Sequence, residues 1–188
     1  MENAPIIVAI TGASGAIFGV RTLRALKELN IPTILLISRA AIITLKQETN
    51  ITPEELHSQA TYFYSYKDIT APICSGSFKT RGMIIAPCSS KSLSSIAHGF
   101  EDNLITRSAS VTLKERRKLV VLFRESPLHL AHIESMSRIT NMGGVIFPPV
   151  PAFYNNPATI EDLVDYTIER VLDQFGINMG RGQRWTGI

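Results

Sequence analysis

Ile6-Ile7-Val8-Ala9-Ile10-Thr11-Gly12-Ala13-Ser14-Gly15 opens with five uninterrupted apolar residues and closes with five small or hydroxyl-bearing ones. Apolar residues then recur as Ile17, Val20, Leu23 and Leu26, at helical spacing. The reading is strand, tight turn, helix. A strand that is apolar at every position is buried on both faces, which happens where helices cover both sides of a parallel sheet. The same sentence of sequence is repeated down the chain. Thr33 to Ile37 predicts a second strand followed by a helix over Ala40 to Glu48, and Thr52 with Glu55 predicts a capping box on a short helix. Met83 to Ala86 is a third strand, followed by helices over Ser89 to Ile96 and Leu104 to Leu113. Leu119 to Phe123 is a fourth strand, Leu128 to Met142 a helix stopped by Gly143-Gly144, and Val145 to Phe147 a fifth strand. The expected fold is α/β, a three-layer α/β/α sandwich on a parallel, Rossmann-like (flavodoxin-like) sheet.

Pro148-Pro149-Val150-Pro151-Ala152-Phe153-Tyr154 departs from that pattern, because each proline lacks the amide proton an interior strand needs. It is expected to be a stiff, exposed loop. Thr159 and Asp162 then cap a last helix running to about Phe175, which Gly176 ends. The remainder, about 177–188, is expected to be a tail docking on the body of one 188-residue domain.

Composition narrows the function. With 45% hydrophobic and 19% charged residues and a net charge of +3, this is an ordinary packed chain with too little basic excess to coat a nucleic acid. Two cysteines, Cys74 and Cys88, make no disulfide framework, no apolar run approaches membrane-spanning length, and the start has no basic, apolar leader. The expectation is a cytoplasmic protein acting on a small anion.

The turn Thr11 to Gly15 leads into a helix start, where unpaired amides and the helix dipole favour a phosphate. It is neither the full dinucleotide fingerprint nor a Walker loop: Gly19 falls off the spacing and no Gly-Lys-Ser/Thr follows. Pro87-Cys88-Ser89-Ser90-Lys91-Ser92 follows another strand at the same predicted edge, so the two turns define a crevice, although each serine also reads as a helix cap. Arg107, Lys114, Arg124, Arg170 and Arg184 lie on different elements and are able to converge on an anion, whereas Arg116, Arg117 and Lys118 read as a solvated face. Cys88 reads as buried packing, His129 and His132 lack further ligands for zinc, and Glu161, Asp162 and Asp165 are the acids a helix start favours, so no metal is expected.

Taken in order, Thr11-Gly12-Ala13-Ser14-Gly15-Ala16, Ile37-Ser38-Arg39-Ala40-Ala41, Glu48-Thr49, Ser75-Gly76-Ser77, Pro87-Cys88-Ser89, Leu113-Lys114-Glu115-Arg116-Arg117, Arg124-Glu125, Pro151-Ala152-Phe153-Tyr154 and Arg184-Trp185 resemble the UbiX family of flavin prenyltransferases over nearly the whole chain. The resemblance implies transfer of a dimethylallyl group from dimethylallyl phosphate to N5 and C6 of reduced FMN, giving prenylated FMN for UbiD-type decarboxylases, a chemistry tied to ubiquinone biosynthesis. FMN is then the acceptor substrate. It further implies that Gly12, Ala13 and Ser14 hold the FMN phosphate side, with Ser38, Ser89, Ser90, Lys91, Ser92 and Arg124 completing the flavin site. Arg107, Lys114, Tyr154, Arg170 and Arg184 would hold the allyl phosphate, and Ser14, Glu48, Lys114, Glu125 and Trp185 would take the catalytic roles. A homo-oligomer, a dodecamer in the family, with no metal, nucleic acid or membrane, completes the picture. An FMN-dependent cysteine-peptide decarboxylase on the same fold and a non-enzymatic flavin carrier are the alternatives.

Overall fold

The computed structural model describes residues 3–180. Six parallel strands form one sheet: β1 (Ile6–Ile10), β2 (Thr33–Ile37), β3 (Tyr62–Ser65), β4 (Gly82–Cys88), β5 (Lys118–Phe123) and β6 (Val145–Ile146). Their spatial order is β3-β2-β1-β4-β5-β6. Seven helices connect and flank them: α1 (Ala16–Glu28), α2 (Arg39–Glu48), α3 (Pro53–His57), α4 (Ser90–His98), α5 (Leu104–Lys114), α6 (Leu130–Asn141) and α7 (Ile160–Asp173). The three-layer parallel α/β sandwich expected from the sequence is therefore the fold.

Alternation along the strands builds two cores from the same apolar runs. Ile6, Val8 and Ile10 of β1 face a core shared with α1, α2, α3 and α7, while Ile7 and Ala9 face one shared with α4, α5 and α6. Handedness explains the division. Strands step outward from β1 to β3, then the chain returns to β4 and steps the other way. Right-handed crossovers in opposite directions put the intervening helices on opposite faces. After β6 the chain crosses back, which lays α7 beside α1. The Arg21 guanidinium ties the two together through a forked pair with the Asp165 carboxylate, Nε donating to Oδ1 at 2.6 Å and the other arm donating to Oδ2.

Gly19 permits a close approach of α1 to the sheet. A Cβ there would lie 2.4 Å from the Ala86 carbonyl oxygen and 2.6 Å from Ile10 Cγ1. Its offset from a dinucleotide fingerprint thus reflects packing of α1 on β1 and β4 rather than phosphate binding.

β3 was missed by the sequence reading. Tyr62 and Phe63 are exposed, so no buried apolar run marks this edge strand, and pairing of Tyr62–Ser65 with Ile34–Ile37 is what makes it one. Other differences are at element ends: α6 begins at Leu130 rather than Leu128, β6 is only Val145–Ile146, and α7 ends at Asp173. The proline-rich segment is irregular, with one 3-10 turn at Phe153–Asn155.

Candidate functional site

The strand order reverses between β1 and β4, and the turns at their carboxyl ends diverge there, as in other open α/β sheets that bind ligands at such a point. The opening is a cleft of about 640 Å³ lined by Gly12, Ser38, Ala40, Ser89, Lys91 and Ser92, together with Asn103 and Thr106. Its walls are the first turns of three helices. Ser38 caps α2, accepting the Ala41 amide at 3.1 Å; Ser89 caps α4, accepting the Ser92 amide at 3.3 Å; Asn103 caps α5, accepting the Ile105 amide at 2.9 Å. Three positive helix ends facing one cleft make an anion site without a Walker sequence. The serines are thus caps and cleft wall at once. Arg39, Asn103 and Thr106 line the cleft through the packing of α2 and α5, and Tyr66 through the end of β3, where its carbonyl accepts the Leu104 amide at 2.7 Å; no local motif in the sequence marks any of them as part of the cleft.

The first turn behaves differently from its sequence-based expectation. The N-cap of α1 is Gly15, which has no side chain to offer, and Glu48 from the end of α2 supplies the cap instead. Its Oε2 accepts the Gly15 amide at 2.8 Å and the Ala16 amide at 2.9 Å. The helix-start amides that drew a phosphate in the sequence reading are therefore already held by a carboxylate. Burial pushes the Glu48 carboxyl up, but the Ser14 hydroxyl, the Ala16 and Gly15 amides and the Arg124 guanidinium outweigh it and hold the group below the ordinary glutamate range. Glu48, Ser14 and Arg124 thus meet at the start of α1.

Glu125, next to Arg124 beyond β5, is the second carboxylate at this edge of the sheet. Its Oε2 accepts the Ser90 hydroxyl at 2.9 Å and its Oε1 accepts the Ser126 amide at 3.1 Å, and with nearby His132 and Arg124 these bonds hold it below the usual glutamate range. Cys88, by contrast, is fully buried and burial pushes its thiol up, in keeping with a packing role.

The cations expected at the allyl phosphate form two groups rather than one. Arg107 and Lys114, seven residues apart on one side of α5, lie near Glu101 and Glu115: Arg107 donates to Glu101 at 2.6 Å and to the Cys74 carbonyl at 3.2 Å, and Lys114 donates to Glu115 at 2.6 Å. Lys114 stands just before β5, at the amino edge of the sheet, opposite the cleft. Arg170 is on α7, in the other helical layer, paired with Asp173 at 2.5 Å. Tyr154 sits beside it: its hydroxyl bonds that of Tyr166, the rings meet edge-on, and the positive charge of Arg170 reaches the phenol. Within one chain the sheet lies between α5 and α7, so a single copy does not bring Lys114 together with Arg170 and Tyr154. Arg184 and Trp185 lie outside the described residues, as does most of the expected tail; Ile177 packs in the core under α7.

Of the acids at the start of α7, Asp162 is committed to the helix cap and Asp165 to Arg21, and His129 and His132 stack on each other. Among the described residues no group of three or more His, Cys, Asp or Glu is placed to hold a metal ion, and no helix is long and apolar enough to cross a membrane.

An open α/β sheet with an anion-binding cleft at its switch point defines a nucleotide- or flavin-binding class, and a family model described as Flavoprotein matches residues 1–172. A probable UbiX-like flavin prenyltransferase of Bacillus subtilis is 54% identical over 183 residues, 97% of this chain and 90% of that one. A crystal structure of AnUbiX (PadA1) in complex with FMN and dimethylallyl pyrophosphate superposes with a TM-score of 0.97 at 47% identity, covering 99% of each chain. A dodecameric FMN-dependent UbiX-like decarboxylase from Escherichia coli O157:H7 follows at 0.95 and 44%, covering 97% of this chain and all of that one. The chain belongs to the flavoprotein family and, within it, to the UbiX-type flavin prenyltransferases.

Proposed function

We propose that this protein joins the dimethylallyl group of dimethylallyl phosphate to N5 and C6 of reduced FMN, releasing phosphate and giving prenylated FMN for a UbiD-type decarboxylase. The observation that carries the proposal is the switch-point cleft lined by the amino ends of α2, α4 and α5, with the carboxylates of Glu48 and Glu125 held on the helix starts at the same edge of the sheet. Residues and group fit one another. The volume lies in the range of small-molecule sites, roughly 300 to 1,000 Å³. Gly12 leaves the wall open where a Cβ would come within 2.3 Å of Ala40 Cβ. Because Glu48 occupies the α1 amides, the phosphate of FMN belongs at the starts of α4 and α2, on Ser89 to Ser92 and Ser38, with Gly12, Ala13, Ser14 and Arg124 along the ring system.

The reduced flavin supplies the nucleophilic N5 and C6 positions when bound. The chain manages charge and protons. As the allylic carbon–oxygen bond breaks, its electron pair leaves with the phosphate, and fixed cationic donors stabilise that charge without a metal. Tyr154, whose bond to Tyr166 holds its proton more tightly than an ordinary phenol, remains a donor beside Arg170. Glu48 and Glu125 are both ionised at neutral pH, so either would accept a proton: the N5 proton would pass on to the departing phosphate, and the proton given up at C6 on ring closure would be matched by one delivered to the allyl double bond.

Arg107 and Lys114 reach the same phosphate from a neighbouring copy, because their own sheet separates Lys114 from Arg170. A homo-oligomer is therefore part of the site, and the dodecamer of the Escherichia coli relative is the assembly we assign. A flavin carrier would have no use for the Tyr154–Arg170 pair, and the cysteine-peptide decarboxylase reading has no counterpart among the residues at this edge of the sheet.

Anaerobic incubation with reduced FMN and dimethylallyl phosphate, followed by mass spectrometry of the flavin, tests the proposal, with the diphosphate as a parallel donor. A flavin heavier by one dimethylallyl unit is expected with the monophosphate. Unchanged FMN with both donors refutes it.

A further inference from the structure

Thr11 is nearly inaccessible, at 1% exposure, yet it is the residue between the buried strand β1 and the turn that lines the cleft. Its hydroxyl is used twice: it accepts the Ser89 amide at 2.7 Å and donates to the Pro87 carbonyl at 2.9 Å. The Thr11 amide donates to the same carbonyl at 3.2 Å. Since the lone pair facing Ser89 is taken, the hydroxyl proton has one direction available, toward Pro87.

The need for this side chain comes from Pro87. Residue-by-residue pairing of β1 with β4 runs from Ile6–Gly82 to Ala9–Ile85 and stops there. On the other side, the register of β4 with β5 shifts between Ile85 and Cys88. Proline has no amide proton, so the backbone ladder lapses where the two strands deliver their turns to the cleft. Thr11 bridges the lapse with a side chain. The bond to the Ser89 amide fixes the first residue of the Ser89–Ser92 turn, whose hydroxyl in turn caps α4.

We propose that Thr11 is a positioning residue for flavin binding: its hydroxyl sets the spacing between the Gly12–Ser14 turn and the Ser89–Ser92 turn and so aims the start of α4 at the FMN phosphate. This rests on the FMN assignment above. Thr11 is buried behind the cleft and does not line it. It acts through Ser89 and Pro87, in a cleft where a displacement of well under a hydrogen-bond length misaligns amides from a phosphate oxygen.

The test compares Thr11→Val, which keeps the shape and removes the hydroxyl, with Thr11→Ser, which keeps the hydroxyl. FMN affinity is measured by flavin fluorescence titration and folding by thermal melting. Valine is expected to weaken FMN binding by about 10- to 100-fold, as buried partners lose their bonds, and serine to restore it to within about threefold of the parent. Hydrogen exchange of the unaltered protein adds a reading independent of whether valine folds: the Ser89 amide is expected to be protected before FMN is added. Valine binding FMN like the parent, serine binding as poorly as valine, or a freely exchanging Ser89 amide overturns the role of Thr11. Failure of the unaltered protein to bind FMN is a different result: it removes the functional reading, and with it the role.

Discussion

Replacing Glu48 by glutamine tests the unusual cap of α1. The carboxylate accepts two backbone amides, at 2.8 and 2.9 Å, and lies within the influence of Ser14 and Arg124. A hydrogen bond to a charged acceptor contributes about 1.5 to 3 kcal/mol, and the helix end adds about 0.3 to 1 kcal/mol of attraction for a negative charge. A glutamine oxygen keeps one neutral bond, and solvent screening at this exposed position removes much of the remainder. The expected net loss is about 1 to 2 kcal/mol, or roughly 2 to 8 °C in melting temperature for a chain of this size. The pH dependence fixes the cause. A carboxyl whose folded pKa is depressed stabilises fully above its ordinary value of about 4.3 and loses that contribution as pH falls through the lower folded value. The gap between the two proteins should therefore be full at pH 7 and close below about pH 4. Melting curves across that range provide the measurement, and a gap that is absent at pH 7 or unchanged at pH 3 refutes the cap. Glu48→Ala adds a converse: with the amides of Gly15 and Ala16 released, inorganic phosphate should raise its melting temperature more than that of the parent.

Lys114→Ala and Arg170→Ala should each lower the prenylation rate by about 30- to 1,000-fold with FMN binding retained, while oligomers reassembled from a mixture of the two should regain part of the activity; a mixture as inactive as either parent would place both groups in one copy's site. Tyr154→Phe should weaken donor binding by about 5- to 20-fold, and the parent's donor affinity should stay level to pH 9 because the phenol is held protonated, as titrations at several pH values would show. Treatment with a chelator should leave the prenylation rate unchanged, and loss of activity restored by magnesium would count against phosphate stabilisation by cations alone. Gly19→Ala should cost about 1 to 3 kcal/mol, seen as a lower melting temperature, since its methyl group collides with the Ala86 carbonyl and Ile10.

The sequence by itself determined the repeating architecture and much of the cleft. Runs such as Ile6–Ile10 and Thr33–Ile37 are apolar on both faces, a pattern that only a covered parallel sheet satisfies. The caps at Thr52, Ser89 and Thr159 were legible for the same local reason: each accepts an amide three residues ahead, a relation that needs no distant partner. Ser38 and the Ser89–Ser92 turn line one cleft because β2 and β4 both run parallel to β1, one on each side of it.

Tertiary structure alone decided the rest. β3 is a strand only through its pairing with β2, its own side chains being too exposed to mark it. The Gly12–Gly15 turn looked like a phosphate site because its sequence shows free amides; it does not show that Glu48, 33 residues from Gly15, folds back to take them. Lys114 and Arg170 look equally available to one anion in the sequence, but the reversal of strand order between β1 and β4 puts α5 and α7 on opposite faces of the sheet. Charge and propensity are written residue by residue, whereas the side of a sheet on which a helix lands depends on strand order and crossover handedness, which belong to the whole chain.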